Sequence, residues 1–228
     1  RFLPIIVGDI ALLSRCAKEL QVDIEIVPWL PGDPVNVEKL QVIEPEANEG
    51  YSLHAESLHW GEPNKETGHA AAAYIIKAVQ LIGQGALDAM VTCPIAKYAM
   101  QLAGYKFPGH TEMLASLCNT GNYGMMMAGK RLKVSLVTIH TPLAKVPEQL
   151  SQDEIIRVIH LTGETLVRDF GIPRPRIAVA GLNPHSGEAG LFGEEEMQVL
   201  EEAASAAGTK NGVCAGVQLR DILLEHSQ

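Results

Sequence analysis

Residues 176–196 read RIAVAGLNPHSGEAGLFGEEE, and this stretch decides the fold class. Ile177, Ala178, Val179 and Ala180 form a short apolar run, bounded upstream by Pro173 and Pro175 and broken downstream by Gly181, Asn183 and Pro184. Such a run predicts a buried strand that ends in a loop. In an open parallel α/β sheet, ligands bind outside the carboxyl ends of the strands. This loop stands at that place and carries Asn183, His185, Ser186 and Glu188. Gly187, Gly190 and Gly193 let the backbone turn and approach a ligand closely. Glu194, Glu195 and Glu196 then open a helix, where acidic residues suit the positive end of the dipole. Taken alone, the loop is equally an ordinary polar connection from strand to helix.

The same grammar recurs upstream. Residues 132–139 (LKVSLVTI) predict a strand that ends on His140, Thr141 and Pro142. Residues 87–91 (LDAMV) predict another, leading into Thr92, Cys93, Pro94, Ile95, Ala96 and Lys97. Strands are also expected over 2–7, 23–27 and 41–43, and at Met125, Met126 and Met127, three methionines read as strand core. Helices are expected over 10–20, 65–82, 151–168 and 194–207. The third opens with Ser151 and Glu154 in the S-x-x-E spacing of a capping box. Residues 44–63 are polar and irregular, with His54 and His59 read as solvated, and the tail from 208 has little rhythm beyond Ile222, Leu223 and Leu224. Strands and helices alternate, so the fold class is α/β, with a largely parallel sheet flanked by helices. The expected organisation is one α/β unit over 1–228, with 1–90 and 91–228 as candidate sub-lobes.

Composition narrows the function. A chain of 228 residues with 46% hydrophobic and 20% charged residues buries a sizeable core. A net charge of −9 argues against a broad nucleic-acid surface. No apolar run approaches the length of a membrane span, and no signal peptide is visible. Cys16, Cys93, Cys118 and Cys214 lie far apart without a CxxC pair, which reads as reduced cytoplasmic thiols.

Two strand-then-histidine units carry the sharpest chemical signal. If the strands before His140 and His185 are parallel neighbours in one sheet, both imidazoles lie on its carboxyl edge, suited to a divalent cation such as Zn²⁺, Co²⁺ or Mn²⁺. A catalytic zinc wants three protein ligands, and His110 is the in-chain candidate for the third. His110 and Thr111, in GYKFPGHTEMLASL at 104–117, also suit a phosphate or carboxylate at a helix N-terminus, unless Thr111 is only the N-cap. Lys97, on the first turn after a strand, is placed for an anion too, or is a solvated helix lysine.

Four segments then carry a resemblance. GLNPHSGE (181–188), GHTE (109–112), VTIHTPL (137–143) and TCPIAK (92–97) stand in the order of the motifs of the 4-hydroxythreonine-4-phosphate dehydrogenase family of vitamin B6 biosynthesis, and the first is the most specific. The resemblance implies a fold like isocitrate and isopropylmalate dehydrogenases. It implies a divalent metal (Zn, Co, Mn or Mg) on His140 and His185, and NAD or NADP as hydride acceptor. It also implies a small phosphorylated hydroxy-acid substrate held by His110, Thr111 and Lys97, which reassigns His110 from metal to substrate. The expected reaction is oxidation with decarboxylation of 4-phosphooxy-threonine; relatives acting on threonate or erythronate 4-phosphate, or on a dihydrodiol carboxylate, are the alternative.

The family also carries an opening glycine-rich loop and a later HDQG motif whose histidine completes the metal site across a homodimer. Neither occurs in 1–228. The chain is therefore expected to be truncated at both ends, with weak metal affinity and little turnover by itself. An inactive remnant is the non-enzyme reading.

Overall fold

The computed structural model describes residues 3–46, 53–195, 199–200, 203 and 214–217. The chain divides into two compact units, Arg1–Gly121 and Asn122–Gln228.

The first unit opens with β1 (Ile6–Val7), α1 (Ile10–Glu19), β2 (Ile26–Pro28) and β3 (Leu40–Ile43). The three strands are parallel, in the order β1-β3-β2, with Ile6 opposite Val42 and Ile26 opposite Leu40. Parallel strands of one sheet need a crossover, which α1 supplies between β1 and β2, the two strands that flank β3. The Asp9 carboxylate caps α1 by accepting from the Leu12 N–H at 2.7 Å. The central strand is the most buried, with Val42 and Ile43 covered, and Ile43 packs with Trp29 and Leu81.

Leu81 belongs to α2 (Lys65–Gly83), whose alanines favour the helix and whose start is a full capping box between Asn64 and Thr67. Two of its other buried residues, Ala72 and Ile75, meet Met100 of α3 (Lys97–Leu102) and Met113 of α4 (His110–Leu117). Burying each methionine contributes about 1.5–3 kcal/mol. α2 and α3 touch so closely at Gly68 that a β-carbon there would overlap the Ala99 carbonyl.

Residues 87–91 do not form the expected strand. Leu87 and Met90 point into two different clusters while Val91 is fully exposed. Inward residues three apart do not fit the period of two that a strand requires. The irregular stretch before α2 is more engaged than its composition suggests. Arg15 on α1 donates to the Leu58 carbonyl at 2.8 Å and lies 4.7 Å from the Trp60 ring centroid. His54, by contrast, is mostly exposed, with its ring against Glu66.

The second unit begins with an antiparallel hairpin of β4 (Met125–Ala128) and β5 (Lys133–Leu136), followed by α5 (Val146–Gln149) and α6 (Gln152–Arg168). β6 (Ile177–Ala180) then runs parallel to β7 (Cys214–Val217). Ile155 and Ile159 on α6 pack with Ile177 and Val179 of β6 and with Ala203.

Two expectations fail in this unit. β5 and β6 are not neighbours among the described residues; β5 pairs with β4 across a tight turn closed by Gly129 N–H to the Leu132 carbonyl at 2.8 Å. The short loop makes that pairing entropically the easier one. Met127 is not core; it is 63% exposed, on the sheet face away from Ser135, whose hydroxyl meets Thr162 of α6. The capping box at α6 is half formed. Ser151 accepts from Glu154 N–H at 3.2 Å, but the Glu154 carboxylate turns to Arg157 at 2.6 Å. The helix expected over 194–207 and the tail from 208, with Ile222 to Leu224, lie largely outside the described residues. No helix among the described residues is long and apolar enough to cross a membrane.

Candidate functional site

In the first unit, the packing of α2, α3 and α4 fixes two helix starts. Lys97 is the first residue of α3, exposed, after an Ala96 N-cap that offers no side-chain bond. His110, Thr111 and Glu112 form the first turn of α4. The N-cap is Gly109, with an extended backbone, so Thr111 lies inside the helix and is not its cap. Gly109 has no side chain to satisfy the first N–H groups, which leaves them to other partners. The His110 Nε2 atom is buried and has no hydrogen-bond partner among the described residues. A buried polar atom without a partner costs about 1–3 kcal/mol, which is retained where it is used.

A cleft of about 430 Å³ lies at the connection from α3 to α4, lined by Gln101, Lys106, Phe107 and Pro108. Its lining includes neither Lys97 nor His110. Lys106 was not singled out by sequence, because a lysine in a loop carries no periodic signal.

In the second unit, His140 and His185 each follow a strand, β5 and β6, as the sequence grammar requires. Both are exposed, and both take left-handed backbone conformations, at φ 55° and φ 54°. A non-glycine residue held there costs on the order of 1 kcal/mol, and such outliers cluster at functional sites.

The loop that bears His185 is closed on itself. A 3-10 turn spans Pro184–Glu188, and the Gly187 carbonyl accepts from both Gly190 and Phe192 N–H groups at 3.0 Å. This brings the Phe192 ring to 6.3 Å from the His185 ring. Asn183, at the N-cap position of the turn, makes no capping bond there. Its Nδ2 instead donates to Glu195 Oε2 at 2.9 Å, across the base of the loop.

Two exposed imidazoles suit a borderline divalent cation in donor chemistry. Among the described residues, no group of three or more His, Cys, Asp or Glu side chains is assembled to hold a metal.

Known proteins supply the context. The model of the pyridoxal phosphate biosynthetic protein PdxA family matches residues 2–223. A 4-hydroxythreonine-4-phosphate dehydrogenase from Desulfosudis oleivorans is 56% identical over 151 residues, covering 66% of this chain and 45% of that protein. One from Desulforapulum autotrophicum is 42% identical over 215 residues, covering 93% of this chain and 62% of that protein. The crystal structure of the enzyme so named from Klebsiella pneumoniae superposes with a TM-score of 0.85 at 33% identity, over 97% of this chain and 66% of that one. The chain thus spans less than two thirds of the length of these relatives. A match along nearly all of its own length, with the histidine-bearing loops inside the matched span, shows that the chain belongs to the PdxA family of pyridoxal phosphate biosynthetic proteins.

Proposed function

We propose that this chain supplies metal- and substrate-binding elements of a dehydrogenase that oxidises and decarboxylates 4-phosphooxy-threonine, a small phosphorylated hydroxy acid, in pyridoxal phosphate biosynthesis. The observation that carries the reading is the pair of left-handed, exposed histidines, His140 and His185, each after a strand within a chain of this family. Bound, a divalent cation (Zn²⁺, Co²⁺, Mn²⁺ or Mg²⁺) supplies Lewis acidity toward the secondary alcohol, and NAD⁺ or NADP⁺ supplies the hydride acceptor.

His140 and His185 would hold the cation through ring nitrogens. His110 and Thr111 bind the phosphorylated end of the substrate at the start of α4, where the helix dipole favours negative charge. Lys97 adds a positive charge at the start of α3. Overall, the alcohol carbon loses a hydride, its hydroxyl loses a proton, and the resulting β-keto acid releases CO₂.

The family resemblance implies a homodimer in which a partner subunit completes the metal site. Cys16, Cys93 and Cys118 are free thiols, which supports a cytoplasmic setting.

Calorimetric titration tests the assignment. Zn²⁺ or Mn²⁺ binding should weaken at least tenfold in His140→Ala and in His185→Ala. Binding of 4-phosphooxy-threonine should weaken in Thr111→Ala with the metal affinity unchanged. Equal metal affinity in all three variants would overturn the reading. Running threonate 4-phosphate in parallel, with NAD⁺ and NADP⁺ reduction as the second readout, separates the family's substrates.

A further inference from the structure

Asn183 and Glu195 meet over Gly193. The Asn183 Nδ2 to Glu195 Oε2 hydrogen bond is 2.9 Å long. A β-carbon on Gly193 would overlap the Glu195 carboxylate and come within 2.5 Å of Asn183 Nδ2. Gly193 also has φ +142°, a conformation L side chains rarely adopt. The backbone conformation reserves this position for glycine, and a β-carbon there would also push the Asn183 and Glu195 side-chain ends apart. The bond joins the two feet of the loop, and everything between them is the histidine's own support: the Pro184–Glu188 turn, the doubly used Gly187 carbonyl and the Phe192 ring. Asn183 occupies an N-cap position, where its side chain would ordinarily serve the turn. It reaches twelve residues ahead instead.

From this geometry we infer that Asn183 and Glu195 are positioning residues, forming a clasp over Gly193 that holds the His185 backbone in its left-handed conformation and so places the imidazole. The inference rests on His185 being a metal ligand, and it names what orients that ligand. Strained backbone persists only where its surroundings over-determine it. A charge-assisted hydrogen bond across the base of a thirteen-residue loop (183–195) does this, because it removes the loop's cheapest way to relax. Groups that orient a metal ligand without touching the metal commonly change affinity by about 10–100-fold when lost.

The test reverses the polarity of the clasp. Asn183→Asp sets two carboxylates against each other. Combined with Glu195→Gln, an amide donor again faces a carboxylate, with the roles exchanged. The whole 228-residue chain is used, with folding checked by far-ultraviolet circular dichroism. In the metal-free protein, the His185 ring should give one set of imidazole ¹⁵N resonances. It should become broadened or multiple in Asn183→Asp and in Gly193→Ala, and single again in the Asn183→Asp/Glu195→Gln pair. Co²⁺ affinity, followed by visible absorption, should fall about tenfold in the single variants and return to within about threefold in the swapped pair.

A loop that merely needs to be folded would not be rescued by the swap. Unchanged imidazole signals in Asn183→Asp, or a swapped pair no better than the single variant, overturns the clasp. His185→Ala is the separating control. If it binds Co²⁺ as tightly as the parent, the ligand assignment fails, and the ring resonances alone judge the clasp.

Discussion

Two histidines hold a backbone conformation that side chains disfavour, and this gives the residue scale its own test. At φ 55° and φ 54°, His140 and His185 would be relieved by glycine and not by alanine. We expect His140→Gly and His185→Gly each to be more stable toward urea than the matching alanine variant, by roughly 0.5–1 kcal/mol. Both pairs lose the imidazole and its metal affinity alike. Alanine variants as stable as the glycine ones would mean that the strain relaxes in solution. Neither φ value was legible in the sequence. The histidines themselves were, because each follows a largely apolar run and stands within two residues of a proline. What a sequence does not carry is a conformation imposed by the loop around it, as the Asn183–Glu195 bond illustrates.

At the scale of elements, local signals carried furthest where they needed no partner. The alanine-rich α2 and the serine-capped α6 lie within a residue or two of their expected bounds, since propensity and capping are properties of the segment itself. Strands need neighbours, and there the sequence misled. Residues 87–91 look strand-like but serve two clusters, and the strand after the methionines pairs back on them.

The contact between α2 and α3 depends on one missing methyl group. Gly68→Ala should destabilise the first unit by about 1–3 kcal/mol, read as a lower urea midpoint, because the added carbon meets a backbone carbonyl that cannot swing away. An unchanged midpoint would show that the helices separate freely.

The start of α6 gives a pH prediction. Arg157 hydrogen bonds hold the Glu154 carboxyl below its ordinary value, and the same bonds raise Arg157. A carboxylate whose folded value is depressed contributes stability that is present above its unfolded value, near about 4.3, and lost as pH falls through the folded one. Arg157 also donates to the Tyr123 carbonyl at 2.9 Å, tying α6 to the chain ahead of β4. Glu154→Gln should therefore flatten the acid limb of the stability profile below about pH 4.5, with a small effect at pH 7 because the pair is partly solvated. An acid limb identical to the parent's would remove Glu154 from the account.

At the scale of the whole molecule, the deciding question is whether His140 and His185 serve one ion or two. Thermodynamic linkage answers it without turnover. An ion that binds only the folded chain raises its stability by RT ln(1 + [L]/Kd), about 2.7 kcal/mol at a hundredfold excess over Kd. Shared ligation makes the two side chains strongly non-additive, since removing either leaves a single imidazole with little hold on the ion. We expect Zn²⁺ to raise the unfolding midpoint of the parent chain, and His140→Ala and His185→Ala each to abolish most of that rise. The double variant should then lose nothing more. Two partial losses that sum in the double variant would mean two independent, adventitious sites. In that event the strand-then-histidine grammar would mark two separate loops, and the metal assignment would fall while the family membership stood.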